Sequence, residues 1–211
     1  REVGITFVYV THDESDALTM SARIAVMNGG RIEHLGPPRE IYERPATRFV
    51  AGFIGTSNLL TAPVRETDSD CSVLETGPEE RLLVPLRADR PTPTIGTEVE
   101  LTVRPEKIQM SPAAPDGSGC RLRGTVTEVV YLGTSTTYTV VTSTGDDVTV
   151  FRQNGSDAED IASRGQQVWL SWRPEHSYAL AASPSDASKP SATGATTDEP
   201  EVPADGKPTT S

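Results

Sequence analysis

The sequence predicts an α+β segment over residues 1–56, a small all-β module over 57–182 and a tail over 183–211 that joins neither. Three observations lead there. The first stretch mixes short apolar runs of strand and helix period. From about residue 57 the pattern changes to short alternating runs broken by Gly, Pro, Asp and Ser, which is how small all-β modules read. In the tail, "SPSDASKPSATGATTDEPEVPADGKPTTS", no apolar side chain is larger than valine, so it cannot bury a core and is expected to be disordered.

Each element has a local reason. "ITFVYV" at 5–10 is β-branched or aromatic throughout and reads as a buried strand. A short helix over 12–20 follows it. "THDE" at 11–14 fits a capping box, with Thr11 accepting from the Glu14 amide and the Glu14 carboxylate reaching back to the Thr11 amide. "ARIAVM" at 22–27 is a second strand, and "NGGRIEHLG" returns it as a hairpin, with Asn28, Gly29 and Gly30 supplying positive φ. "PPREIYERP" frames one helix between Pro37-Pro38 at its start and Pro45 beyond its end. "ATRFVAGFIG" makes another, with Phe49, Val50, Phe53 and Ile54 at helical spacing and Gly55 as its stop. In the module, "GTEVELTV", "RGTVTEVVYLG", "TTYTVVTSTGDDVTVF" and "QQVWLSW" are the clearest strands.

The module contains an internal echo. "IGTEVELTVRPEK" at 95–107 and "RGQQVWLSWRPEH" at 164–176 align without gaps, matching Gly96 to Gly165, Leu101 to Leu170, and Arg104-Pro105-Glu106 to Arg173-Pro174-Glu175. Two half-units therefore share one strand-then-RPE design. Proline cannot continue a ladder, so each RPE is expected at a strand end with its charges at the rim, as a site or simply as an Arg-Glu corner. The aromatics Trp169, Trp172, Tyr131, Tyr138 and Phe151 alternate with polar residues and could line a barrel-mouth pocket or fill the core.

Composition narrows the function. With 211 residues, 35% of them hydrophobic, two small units fit best. A net charge of -11 argues against a nucleic-acid partner, which needs clustered Lys and Arg on the protein. The sequence has no apolar run of membrane-spanning length and no secretory signal pattern. Cys71 and Cys120 lack metal-ligand spacing and read as free thiols of a reducing compartment.

The residue that most asks for a role is His12. Placed at the first helical position, it faces the positive end of the helix dipole, which favours the neutral ring, and free amides there favour an anion. A neutral histidine at the carboxyl end of a strand can orient a water against a phosphoryl group. The alternative is a histidine that only completes a turn.

A resemblance bears on that choice. The strand into Val10-Thr11-His12-Asp13, "ALTMSARIAVMNGGRI", the "G-x-P-x-x-I-Y-x-x-P" helix and the "FIGTSN" exit together closely resemble the last third of the nucleotide-binding domain of ABC-transporter import ATPases, a P-loop ATPase fold. The β module resembles that family's TOBE regulatory domain, of OB-type barrel architecture. "YLGTSTTYTV" followed by "VTVFRQN" is most similar to the polyamine (spermidine/putrescine) import subgroup.

The resemblance implies that His12 is the switch histidine, contacting the ATP γ-phosphate and holding the attacking water. It implies ATP and magnesium as cofactors of the complete subunit, permease subunits and a second copy of the subunit as partners, an extracytoplasmic solute-binding protein as an indirect one, and a place at the cytoplasmic face of the plasma membrane. The family's usual Gln-Glu-Glu-Ala after the His-Asp pair is Glu14-Ser15-Asp16-Ala17 here. The chain shows no phosphate-cradling G-x-x-x-x-G-K-[ST], no Leu-Ser-Gly-Gly-Gln and no strand ending in Asp-Glu, so it is expected to be a truncated form that by itself neither binds ATP tightly nor hydrolyses it. The competing expectation is a stand-alone TOBE-type regulatory module without ATPase activity.

Overall fold

The computed structural model describes residues 4–155 and 162–181; the expectation for the tail at 183–211 lies outside them. The helical part contains α1 (Glu14–Met20), the hairpin β1 (Ile24–Asn28) and β2 (Arg31–Gly36), α2 (Pro38–Glu43) and α3 (Arg48–Phe53). Its small core is Ile24, Val26, Ile41, Val50 and Ile54, with Ala17, Leu18, Tyr42 and Phe49 packed against it. Positive φ falls on Gly29 (55°) and Gly30 (78°) but not on Asn28, which stays extended as the last residue of β1, so the two glycines alone make the tight turn. Pro38 opens α2, and Gly55 follows α3 at φ 68°.

One predicted element is absent. Residues 5–10 form no strand; Phe7 is 82% and Val8 89% exposed, and no described strand pairs with them. A single β-type run without a neighbour cannot satisfy its backbone in a ladder, however strong its propensity.

The OB-type module expected after residue 57 takes the form of two five-stranded antiparallel sheets. Its strands are β3 (Asn58–Thr67), β4 (Cys71–Leu74), β5 (Leu82–Pro85), β6 (Glu98–Val103), β7 (Gln109–Ser111), β8 (Cys120–Tyr131), β9 (Ser135–Thr142), β10 (Asp147–Gln153), β11 (Gln167–Trp172) and β12 (Tyr178–Ala179). One sheet runs β10-β9-β8-β11-β7 and the other β12-β6-β3-β4-β5. These orders are the same order twice, with the last strand exchanged: β7 leaves the first half-unit to pair with β11, and β12 leaves the second to pair with β6.

The repeat therefore extends well beyond the thirteen-residue echo. Gly96 and Gly165 have φ of 86° and 85° and donate to Val64 and Val126 at 2.8 and 2.7 Å. Each of these valines is followed by a bulge, between Val64 and Glu66 and between Val126 and Glu128. Both RPE triplets sit at strand ends, where Pro105–Lys107 and Pro174–His176 make single 3₁₀ turns.

The two sheets enclose one continuous core that includes Leu60, Val64, Leu101, Leu122, Val126, Tyr138, Val140 and Leu170. Each such side chain contributes about 1.5–3 kcal/mol relative to exposure. The aromatics divide: Tyr138, Trp169 and Trp172 are buried, whereas Tyr131 and Phe151 are exposed. Cys71 and Cys120 are free thiols; Cys120 is buried in the core, and its sulfur accepts from the Leu83 amide at 3.2 Å. Burial pushes the Cys120 thiol pKa up.

Candidate functional site

His12 stands exposed in the turn that leads into α1. The capping differs from the expected box. Asp13, not Thr11, is the N-cap, and its carboxylate accepts from the Asp16 amide at 3.1 Å. Thr11 acts one step earlier, its hydroxyl accepting from the Asp13 amide at 2.9 Å. His12 therefore precedes the cap instead of occupying the first helical position. A short aspartate carboxylate satisfies a helix-start amide better than threonine does, and the sequence offered both.

Glu14 is released from the box for another purpose. Its carboxylate accepts from the Gly55 amide, joining the start of α1 to the residue that terminates α3. Only glycine suits that place, because φ is positive and a Cβ would lie 3.0 Å from the Tyr42 ring. Tyr42 in turn lies under Arg104, whose guanidinium carbon is 4.0 Å from the ring centroid.

Arg104 is 5% exposed. Its Nε and Nη2 donate to the Tyr42 carbonyl at 3.0 and 2.6 Å, and its Nη1 donates to the carbonyls of Thr56 at 3.0 Å and Ala51 at 3.3 Å. One side chain from the end of β6 thus satisfies carbonyls at the ends of α2 and α3. Burial lowers its pKa, while Tyr42 and Glu106 oppose that shift. Burial, with help from Glu106, raises that of the Tyr42 hydroxyl, which donates to Glu106 at 3.2 Å. Arg48 to Glu100 at 2.7 Å and Lys107 to Glu43 at 3.8 Å add surface pairs across the same seam.

The two RPE triplets, alike in sequence, are unlike in use. Arg104 is a buried bolt between the helical part and the β module. Arg173 is a rim residue, 3.2 Å from Glu175 with 72% of its side chain exposed. The rim expectation holds for the second and is corrected for the first, because α2 and α3 dock only over the first. Identical triplets carry no signal of which one will be covered.

The turn between β8 and β9, "YLGTS", is closed by Asn154. That side chain accepts from the Thr136 hydroxyl at 2.8 Å and donates to the Gly133 carbonyl at 2.9 Å. The two pieces of the subgroup resemblance, "YLGTSTTYTV" and "VTVFRQN", are thus one structural unit. Elsewhere, among the described residues, no group of three or more His, Cys, Asp or Glu is arranged to hold a metal ion, and no helix is long and apolar enough to cross a membrane.

A pH dependence is built into the fold at two histidines, one in the helical part and one in the β module. The His34 Nδ1 accepts from the Ala46 amide at 3.3 Å, and burial lowers its pKa below 6.5 against the opposing pull of Glu40. Burial, with Arg173 and Lys107, lowers that of His176 too. A depressed folded pKa means that the unfolded chain binds the proton first, so this stability is complete above pH 6.5 and is lost as pH falls through the folded value. The melting temperature is expected to fall from pH 7 toward pH 5, and His34→Gln should reduce the slope; an unchanged slope in that variant would remove His34 from the account.

Comparison with known proteins adds an independent line. A family model for the TOBE domain matches residues 101–180. The spermidine/putrescine import ATP-binding protein PotA of Frankia alni is 61% identical over 186 residues, 85% of this chain and 40% of its own length. The proteins of the same name from Thermobifida fusca and Acidothermus cellulolyticus are 57% and 56% identical over 180 residues, 85% of this chain and 46% of theirs. This chain spans less than half the length of those relatives. A solved structure of the cytoplasmic molybdate-binding protein ModG overlays with a TM-score of 0.48 at 16% identity, covering 57% of this chain and 92% of that one, which is too loose a likeness to bear on function. With "VYVTHDESDAL" leading into α1, a module that takes the TOBE match and identity sustained across both, the chain carries a TOBE domain and is a close homologue of the PotA spermidine/putrescine import ATP-binding proteins over 40–46% of their length.

Proposed function

We propose that this chain is the switch-histidine and TOBE part of the ATP-binding subunit of an ABC importer for polyamines. The observation that carries this is the identity of 56–61% to spermidine/putrescine import ATP-binding proteins, sustained over most of the chain. In this reading the subunit works at the cytoplasmic face of the plasma membrane, pairs with a second copy, drives permease subunits and serves a solute-binding protein through them. ATP is the substrate whose hydrolysis supplies the energy. Magnesium would neutralise phosphate charge; among the described residues no group of three or more His, Cys, Asp or Glu is arranged to hold it.

Within that scheme His12 is the residue that meets the γ-phosphate and steadies the attacking water. Its geometry supports the role. The ring is exposed, while the turn that holds it is fixed by Thr11 and Asp13 and tied through Glu14 to Gly55. Gly55 packs on Tyr42, and Tyr42 is clamped by Arg104 of the β module. The histidine turn and the TOBE domain therefore share one attachment, which suits a module that steadies the ATPase dimer.

The test is the importer itself, subunit and permease together in membranes. His12→Ala is expected to lower ATP turnover by about 100-fold or more. Melting should stay within about 0.5 kcal/mol of the parent, because the residue is exposed. Unchanged turnover would exclude the catalytic role of His12. ATP-dependent uptake of some other solute, with none of spermidine or putrescine, would exclude the polyamine assignment and leave the ATPase reading standing.

A further inference from the structure

A cleft of about 620 Å³ lies where the two RPE turns meet, with Lys107 from the first turn and Arg173 and His176 from the second. Its volume falls in the range of small-molecule sites. Trp172, buried at its wall, contributes apolar surface. Another wall is fixed in place: Arg81 spends its Nε on the Gly119 carbonyl at 2.9 Å and its Nη2 on that of Gly117 at 2.8 Å.

Arg121 lines the same cleft, and among the described residues its side chain forms no hydrogen bond or ion pair. Its Nε is buried without a hydrogen-bond partner, and so is the His176 Nδ1. Both residues line the cleft, and two such orphaned buried atoms on the residues of one lining are unusual, since buried polar groups are nearly always paired. The neighbouring charges are already engaged: Lys107 lies 3.8 Å from Glu43, Arg173 pairs with Glu175, and Glu106 accepts from Tyr42. Arg121 is the guanidinium left over, with Asp116 as a carboxylate on the same lining.

We propose that this cleft binds a small organic anion, which presents a carboxylate or phosphate group to the Arg121 guanidinium beside His176. A guanidinium engages such a group through two parallel N–H donors, and the planar fork explains why arginine suits the place. The volume exceeds what a bare tetrahedral ion would fill, and Trp172 offers its surface to a carbon skeleton. This site stands apart from His12 and does not depend on the importer assignment.

The experiment is titration of the full chain at constant ionic strength with citrate, glycerol 3-phosphate, inorganic phosphate and putrescine. It is read by calorimetry and by the NMR signals of the His176 imidazole and the Trp172 indole. Citrate or glycerol 3-phosphate is expected to move both signals. Arg121→Gln should weaken that binding at least tenfold by removing a charge-assisted pair, and Asp116→Asn should tighten it, both with the parent's melting temperature. Silence of both signals up to about 10 mM of either organic anion overturns the proposal, because affinity weaker than that is not a site. So does binding unaffected by Arg121→Gln, binding of inorganic phosphate alone, or a stronger response to putrescine than to the anions.

Discussion

Arg104→Ala is expected to destabilise the protein by about 3 kcal/mol, whereas Arg173→Ala, the same change in the matching triplet, is expected to cost no more than about 0.5 kcal/mol. The difference is in what each truncation leaves behind. Arg104 is the donor for the carbonyls of Tyr42, Thr56 and Ala51, and alanine would leave those acceptors at the ends of α2 and α3 without their partner. Its contact with the Tyr42 ring would be lost as well. Arg173 faces water, and exposed ion pairs contribute little. Arg104→Lys should rescue only partly, because an ammonium cannot reproduce the fork that reaches three carbonyls. Denaturant unfolding of the three variants measures this; equal losses for Arg104→Ala and Arg173→Ala would sink the assignment of Arg104 as the bolt.

Gly124→Ala should cost about 3 kcal/mol, the upper end of overpacking penalties. Gly124 lies on β8 between β9 and β11, and a Cβ there would sit 2.5 Å from Val140 Cγ1 and 2.7 Å from the Val141 carbonyl oxygen. A side chain can rotate away, but the carbonyl belongs to the neighbouring strand, so the sheet itself must open. Gly52→Ala is the control. It lies inside α3, a Cβ there meets nothing within 4 Å, and the substitution should stabilise by about 0.5–1 kcal/mol through helix propensity. The measured quantity is the unfolding free energy of each, and a Gly124→Ala protein as stable as the parent would contradict that close strand spacing.

Much of the fold was legible because it rests on local chemistry. Asn28-Gly29-Gly30 could only turn, Pro37-Pro38 could only start a helix, and the repeated Gly…RPE pattern marked two strand ends. His12 was legible as the residue of interest because a strand-like run ends beside it and a helix begins. What failed did so for want of neighbours. "ITFVYV" has strand composition, yet a strand exists only as a partner's ladder. Thr11, Asp13 and Glu14 all suit a helix start; Asp13, the better cap, took it, and Gly55, far along the chain, takes up the Glu14 carboxylate that the box would have used.

By itself, then, the sequence determined the glycine turns, the proline-framed start of α2, the duplicated half-units and the resemblance that brings His12 into view, since all of these depend on residues close together in the chain. Only the tertiary structure decided that the half-units exchange their last strands, that Arg104 is buried while Arg173 is not, and that Arg121 and His176 meet in one cleft. Such outcomes turn on which surface covers which, and two identical triplets acquire different energies once helices pack over one of them and water remains over the other.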